Sequence, residues 1–209
     1  MKVVAFNGSP RKEGNTYHAI KMVAEELENN GIEVEIVHVG NKVIRGCLAC
    51  NGCAKNKDSR CVIQGDLVNE WIEKMEDADG IIIGSPVHYS AIAGTMKSFL
   101  DRAFYAAGSK ALRHKVGTAV VAVRRSGGIA TFNQLNNYLN YAEMVIPTSN
   151  YWNIIHGTAP GEAVKDEEGK QIMRVLGKNM TWMLNLINQG KEIVQESKAE
   201  EKIYTNFIR

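Results

Sequence analysis

The segment at residues 7–16 constrains the fold of this chain more than any other. It reads Asn-Gly-Ser-Pro-Arg-Lys-Glu-Gly-Asn-Thr and lies between an apolar run at 3–6 and an amphipathic run at 19–27. This order predicts a strand, a glycine-rich loop and a helix. Main-chain N–H groups at the start of a helix, helped by the helix dipole, form a binding site for a phosphate. The segment therefore predicts an anion-binding loop, for which the alternative is a plain turn with Asn15 or Thr16 as the helix cap.

The composition is that of an ordinary globular domain. The chain has 209 residues, of which 44% are hydrophobic and 23% charged, enough for one full core. A net charge of +2 without a long basic run argues against a nucleic-acid binder. We find neither a signal-peptide pattern nor an apolar window long enough to span a bilayer, so we expect a cytoplasmic protein with no membrane partner. In that compartment four cysteines are more often thiols, ligands or redox groups than disulfides.

Five segments have the apolar content of strands, and helical patterns separate them. The strands are predicted at 2–7, 32–39, 79–85, 116–123 and 144–147. The helices are predicted at 16–29, 66–76, 96–107, 131–141 and 167–195, with a possible break near Gly177, and 151–161 is predicted to be irregular. Strands that alternate with helices form an open parallel sheet covered on both faces. We therefore predict the α/β class, with a doubly wound five-stranded parallel sheet.

Three predicted loops end on the same rim of this sheet. They are 8–16, 85–94 and 124–129, and each contains glycine or proline where the backbone would approach a ligand. Ligands of open α/β sheets bind beyond the carboxyl ends of the strands, where the strand order reverses. We expect one ligand-binding domain at 1–195, with a cysteine-rich insertion at 42–64 and a tail at 196–209.

Three motifs resemble those of the flavodoxin-like NAD(P)H-dependent FMN reductases. They are Asn-Gly-Ser-Pro-Arg with Gly-Asn-Thr at 7–11 and 14–16, Gly-Ser-Pro-Val-His-Tyr at 84–89, and Met-Lys-Ser-Phe-Leu-Asp-Arg at 96–102. The resemblance extends over roughly residues 1–190. It implies a flavodoxin-like fold with strand order 2-1-3-4-5, bound FMN, NAD(P)H as co-substrate, and a homodimer or homotetramer whose subunits help to enclose the flavin.

The same resemblance implies roles for residues of the three loops. The FMN phosphate would be held by Ser9, Arg11, Asn15 and Thr16. The isoalloxazine ring would be lined by Pro86, Val87, His88 and Tyr89, and its pyrimidine edge would be approached by Ser126, Gly127 and Gly128. Arg124 and Arg125 would contact a flavin carbonyl or the 2′-phosphate of NADPH, or form a solvated pair. For His88 and Tyr89, simple packing is the alternative.

Two other groups of residues are weaker candidates for a functional site. Tyr151, Trp152 and His156 lie in the region predicted to be irregular, and they either reach the flavin or pack. A hydrolase triad of Ser85, His88 and Asp101 is not expected, because no Gly-x-Ser-x-Gly elbow surrounds the serine.

The four cysteines form the pattern C-x2-C-x2-C-x7-C at Cys47, Cys50, Cys53 and Cys61. Four thiolates at this spacing can hold a [4Fe-4S] cluster, and the pattern resembles the compact cluster motif of the iron–sulfur flavoproteins, a branch of the same flavodoxin-like group. A structural zinc is the second interpretation. Free or reversibly oxidised thiols are the third.

The functional prediction is an FMN-dependent oxidoreductase. Electrons would come from NAD(P)H, or from a reduced ferredoxin-like protein if the cluster exists, and would pass through FMN to a quinone, a nitro or azo compound, or oxygen. The alternative is a flavodoxin-type electron carrier that turns over no small molecule. A third hypothesis, a binding module that has lost flavin, is disfavoured by the intact first loop.

Overall fold

The computed structural model describes residues 1–205, so the last four residues of the predicted tail at 196–209 lie outside the described part. The strands are β1 (Lys2–Asn7), β2 (Glu33–His38), β3 (Gly80–His88), β4 (Ala91–Ile92), β5 (Val116–Val123) and β6 (Ile154–His156). The helices are α1 (Asn15–Glu28), α2 (Gly52–Asn56), α3 (Val68–Asp77), α4 (Gly94–Ala106), α5 (Gly108–Leu112), α6 (Gly128–Tyr141) and α7 (Glu167–Gly190). A single 3-10 turn at Glu162–Lys165 precedes α7.

Five of these strands form a parallel sheet in the order β2-β1-β3-β5-β6. The short strand β4 pairs antiparallel with the end of β3. Counted along the parallel strands alone, the order is 2-1-3-4-5, which confirms the predicted flavodoxin-like α/β fold. The order reverses between β1 and β3, so their carboxyl ends border the switch point where ligands bind in such sheets.

Helices cover both faces of the sheet. On one face Trp71 of α3 and Phe99 of α4 pack edge to face, with ring centroids 5.2 Å apart. On the other face Ile20 of α1 and Met173 of α7 belong to a second buried cluster. Because the sheet is covered on both sides, successive residues of a central strand are all buried, which explains the unbroken isoleucine run at 81–83.

The predicted position of the fifth parallel strand, 144–147, is wrong. In that segment Val145 makes only an isolated bridge to the start of β5. The strand is β6 at Ile154–His156, within the region predicted to be irregular. Its position follows from Asn153, whose buried side-chain amide donates to the main-chain oxygen of Ala119 in β5 at 3.0 Å. This contact brings the chain alongside β5 immediately before β6 begins.

The last helix is continuous, so the break considered near Gly177 is not present, and the helix ends at Gly190 rather than at residue 195. A Cβ added at Gly177 would lie 2.9 Å from the main-chain oxygen of Val23. The glycine therefore lets α7 approach α1 closely and does not interrupt the helix. None of the described helices, α7 included, is long and apolar enough to cross a membrane.

Candidate functional site

The three predicted loops contact one another at the carboxyl edge of the sheet. The main-chain N–H of Gly8 donates to the oxygen of Gly84 at 2.8 Å, which joins the first loop to the end of β3. A Cβ added at Gly127 would lie 2.6 Å from Oγ of Ser90, so the third loop touches the second. The loops therefore form one continuous rim.

The first loop is held in shape by its own hydrogen bonds. Asn7 Oδ1 accepts from the main-chain N–H of Ser9 at 3.1 Å, and Ser9 Oγ accepts from the N–H of Arg11 at 3.2 Å. A ring nitrogen of His38 lies 2.8 Å from the main-chain oxygen of Ser9. A Cβ at Gly40 would lie 2.1 Å from that same oxygen, so the chain just after β2 can come this close only with glycine there. The Ser9 hydroxyl still has its own proton to donate to a ligand.

Thr16 is the clearest sign that this loop is built for a ligand. Its side chain is 1% exposed, and its hydroxyl oxygen is buried without a hydrogen-bond partner. Gly14, which precedes α1, supplies no side-chain cap, so the first-turn N–H groups of the helix are left for another acceptor. A phosphate would satisfy both the hydroxyl and these N–H groups. The residues present therefore fit the phosphate of FMN.

The side chain of Asn15, for which the resemblance implied a phosphate contact, also makes two structural hydrogen bonds. Its amide nitrogen donates to the main-chain oxygen of Ala159 at 3.0 Å, and its amide oxygen accepts from the N–H of Ala163 at 3.1 Å. A Cβ at Gly157 would lie 2.8 Å from that amide nitrogen. Asn15 therefore holds the segment 157–163 against the start of α1, while its main-chain N–H and the second N–H of its side-chain amide remain for a ligand.

The second loop is a β-hairpin and not the open loop predicted at 85–94. Strand β3 continues to His88, which pairs with Ala91 of β4. The two turn residues, Tyr89 and Ser90, have φ values of 50° and 59°, as in a type I′ turn. Non-glycine residues in this conformation are strained, and such strain is concentrated at functional sites. The Tyr89 side chain is fully exposed at 106%, so its ring packs against no part of the described chain.

The other residues of the hairpin divide into structural and accessible ones. Ser85 is buried; its hydroxyl accepts from the N–H of Ala93 at 3.0 Å and donates to the oxygen of Pro86 at 2.8 Å. Pro86 and Val87 are half-buried, and His88 is exposed. With Ser85 committed to the hairpin, the accessible residues are those predicted to line the flavin ring.

Gln134 of α6 supports this hairpin and was missed by the sequence analysis. Its amide oxygen accepts from the N–H of Ile92 at 3.3 Å, and its amide nitrogen donates to the oxygen of Ser90 at 3.3 Å. The two bonds hold the strained turn of the hairpin against α6. No local pattern marks a single glutamine in a helix, so only the tertiary contact identifies it.

The third loop ends at the start of α6. Arg124, Arg125 and Ser126 are exposed, and Gly127 precedes the helix with a φ of 87°. This glycine turns the chain so that Gly128 begins α6 in a buried position. The first-turn N–H groups of α6 thus face the rim, where they suit the polar edge of a flavin.

A cavity of about 260 Å³ lies between the third loop and the start of α7, and Arg125, Tyr151 and His156 help to line it. The main-chain N–H and ring Nδ1 of His156 lie 2.7 and 3.2 Å from Asp166 Oδ2. Burial alone would favour the neutral acid, but hydrogen bonds from the N–H groups of Gly169 and His156 lower the pKa of Asp166. Of the late aromatic residues, Tyr151 and His156 line this cavity.

The cysteine segment packs along α4. Cys47 and Cys50 are exposed, whereas Cys53 and Cys61 are buried, and none is in a disulfide. Burial raises the pKa of the Cys53 thiol. Cys47 Sγ accepts from the main-chain N–H of Ala49 at 3.4 Å.

The donor chemistry of these four residues fits a cluster. Four thiols are the ligand set of a [4Fe-4S] cluster, and N–H donors to sulfur are typical of such sites. Within residues 1–205, however, no three cysteine, histidine or acidic side chains are gathered closely enough to hold a metal ion. We therefore assign no geometry to a bound cluster.

The sheet order and the three loops at its switch point define a flavodoxin-like α/β protein. The crystal structure of RosB with a bound riboflavin-phosphate intermediate superimposes with a TM-score of 0.71, at 16% identity, over 100% of this chain and 94% of that one. This likeness concerns the fold.

Sequence comparison identifies the family. The family model of the NADPH-dependent FMN reductases matches residues 1–159, and the chain belongs to that family. An iron–sulfur flavoprotein of Methanocaldococcus jannaschii is 35% identical over 196 residues, covering 90% of this chain and 100% of that protein. An iron–sulfur flavoprotein of Methanosarcina thermophila is 30% identical over 195 residues, covering 92% and 100%. These matches confirm the predicted family and its iron–sulfur flavoprotein branch, and with them an FMN-binding oxidoreductase.

Proposed function

We propose that this protein passes electrons from NAD(P)H, or from a reduced redox protein, through FMN to a small acceptor such as a quinone, a nitro or azo compound, or oxygen. The observation that carries the proposal is the buried, unpartnered hydroxyl of Thr16 beside the uncapped start of α1. FMN supplies the hydride and electron-transfer chemistry when it is bound.

The protein's part is to bind and orient the flavin. We assign the phosphate to Ser9, Arg11 and Thr16 with the main-chain N–H of Asn15, whose side chain keeps the segment 157–163 in place. The ring is assigned to the accessible hairpin residues Pro86, Val87, His88 and Tyr89. The polar edge of the ring is assigned to the third loop at Arg124, Ser126, Gly127 and Gly128. All three assignments are supported by the contact of the three loops at one rim.

We further propose that Cys47, Cys50, Cys53 and Cys61 hold a [4Fe-4S] cluster that receives electrons from a ferredoxin-like donor. The proposal is supported by the complete set of four thiols and by the relatives' description as iron–sulfur flavoproteins. The FMN-binding domain would comprise residues 1–195, with the cysteine-rich insertion at 42–64, in a homodimer or homotetramer.

Anaerobic purification with FMN, iron and sulfide tests both cofactors at once. We expect flavin absorption bands with a broad iron–sulfur shoulder, and four irons and four sulfides per chain, as the [4Fe-4S] formula requires. Zinc in place of iron, or flavin alone, would refute the cluster. Failure of the apoprotein to bind FMN would refute the flavin site.

A steady-state assay separates an enzyme from an electron carrier. We expect the FMN-loaded protein to oxidise NADPH or NADH catalytically when a quinone is present. Reduction of the bound flavin by a ferredoxin-like donor, without turnover of either nicotinamide or of any small acceptor, would instead identify the carrier.

A further inference from the structure

Arg102 of α4 is buried against the cysteine segment, and the residue is 1% exposed. Its Nε–H donates to Cys61 Sγ at 3.3 Å. One terminal nitrogen donates to the main-chain oxygen of Arg45 at 3.2 Å, and the other to that of Ile63 at 3.1 Å. Both terminal nitrogens also donate to the carboxylate of Asp66. All five N–H donors of the side chain therefore have partners in the cysteine segment or directly after it.

The contacts of Arg102 serve two separable purposes. Asp66 balances the buried charge, because an unpaired guanidinium in the interior would be strongly destabilising. The carbonyl oxygens of Arg45 and Ile63 brace the chain on either side of the cysteines. Neither purpose requires a donor on Cys61. A neutral thiol is a weak acceptor, whereas a sulfur that carries negative charge is a strong one.

We infer that Arg102 is a positioning residue that raises the reduction potential of the group held by Cys61, an inference that rests on the proposed [4Fe-4S] cluster. Reduction adds one electron, taken from the reduced redox protein, to the cluster and its sulfur ligands, and no bond is made or broken. A hydrogen bond and a fixed positive charge at a ligand sulfur stabilise the electron-rich form more than the oxidised one. Arg102 thus makes the cluster easier to reduce by its donor.

The test compares Arg102→Gln and Arg102→Lys with Tyr105→Phe in iron-loaded protein. Tyr105 lies on the same helix, and its hydroxyl donates to Asn51 Oδ1 at 2.6 Å, so its loss loosens the cysteine segment without touching a sulfur. Arg102→Lys keeps the charge beside Asp66 and lacks the Nε–H donor, which guards against a variant that fails to fold. The readouts are iron and sulfide per chain and the midpoint potential, followed by electron paramagnetic resonance during a redox titration.

We expect Arg102→Gln to make reduction of the cluster at least about tenfold less favourable, which is about 59 mV for a one-electron couple. Arg102→Lys should shift the potential in the same direction by less, and Tyr105→Phe should keep the wild-type value. Iron-loaded Arg102 variants with the wild-type potential would overturn the inference alone. So would loss of iron from both Arg102 variants, which would make the residue one needed for assembly. An iron-free wild type would overturn the proposed cluster and this inference together.

Discussion

Replacing Thr16 with valine should raise the unfolding free energy of the apoprotein and lower its affinity for FMN. The Thr16 hydroxyl is buried without a partner, and its methyl group packs near Gly84, where an added Cβ would lie 3.1 Å from Thr16 Cγ2. Valine keeps this packing and removes the unpaired hydroxyl. A buried polar group without a partner is destabilising by about 1–3 kcal/mol, so the apoprotein should gain about 1 kcal/mol of unfolding free energy.

The effect on FMN has the opposite sign. A hydrogen bond to a charged group contributes about 1.5–3 kcal/mol, and its loss from the phosphate raises the dissociation constant of FMN by about 10- to 100-fold. At a fixed FMN concentration, FMN should consequently raise the unfolding free energy of the variant by less than it raises that of the wild type. A more stable apoprotein and a lower affinity for FMN would together show that the Thr16 hydroxyl binds the ligand.

Urea unfolding of the apoprotein and quenching of FMN fluorescence measure the two quantities. Thr181→Val is the matched control, because Thr181 is also buried but its hydroxyl donates to Gly177 within α7 at 2.9 Å, far along the chain from the rim. The control should bind FMN as the wild type does. A Thr16→Val protein with wild-type FMN affinity, or an apoprotein destabilised by the change, would show that the hydroxyl does not bind the phosphate.

Three further substitutions test the rest of the fold and the rim. Gly127→Ala places a side chain at φ 87° and 2.6 Å from Ser90, so urea unfolding should show a loss of about 1–3 kcal/mol, and FMN should bind more weakly. Gly177→Ala should destabilise the protein, because the added Cβ would lie 2.9 Å from the main-chain oxygen of Val23. Alanine by itself favours a helix over glycine by about 1 kcal/mol. A gain in stability would therefore refute the close packing of α7 on α1. Burial favours neutral Asp166, yet main-chain donors lower its pKa, so the folded state binds fewer protons than the unfolded one. Its stabilising effect is therefore complete above the unfolded pKa and lost as pH falls through the lowered folded pKa. Asp166→Asn should reduce the loss of stability on acidification, measured as urea midpoints from neutral to acidic pH. A loss of the same size as in the wild type would contradict this role of Asp166.

The strand order and the rim could be predicted because their signals are local. Each strand, loop and helix of the first unit at 2–29 has its own pattern in the sequence, and the parallel alternation limits how such units assemble. The position of β6 could not be predicted in this way. It depends on the amide of Asn153 reaching Ala119 across the sheet, a contact between residues far apart in sequence.

The same distinction applies to the site. The glycine at 127 is visible as a loop residue, but the role of Asn15 depends on Ala159 and Ala163, which follow it by more than a hundred residues. The hairpin turn at Tyr89 and Ser90 was also hidden, because neither residue is one that usually takes a positive φ. Such positions depend on tertiary support that overrides local preference.

Helix α4 connects the rim of the three loops to the cysteine segment. At its start, the N–H of Ala93 is bound to Ser85, and Met96 packs where a Cβ of Gly8 would lie 2.7 Å away, so the helix supports the first two flavin loops. Two turns further along, Arg102 binds Cys61, and Tyr105 follows with its bond to the cysteine segment. Because one helix carries both sets of contacts, it fixes the separation between the rim and Cys61. Electron transfer between them would therefore need no domain movement, and a substitution at Arg102 should change the potential of the cysteine site without changing the affinity for FMN.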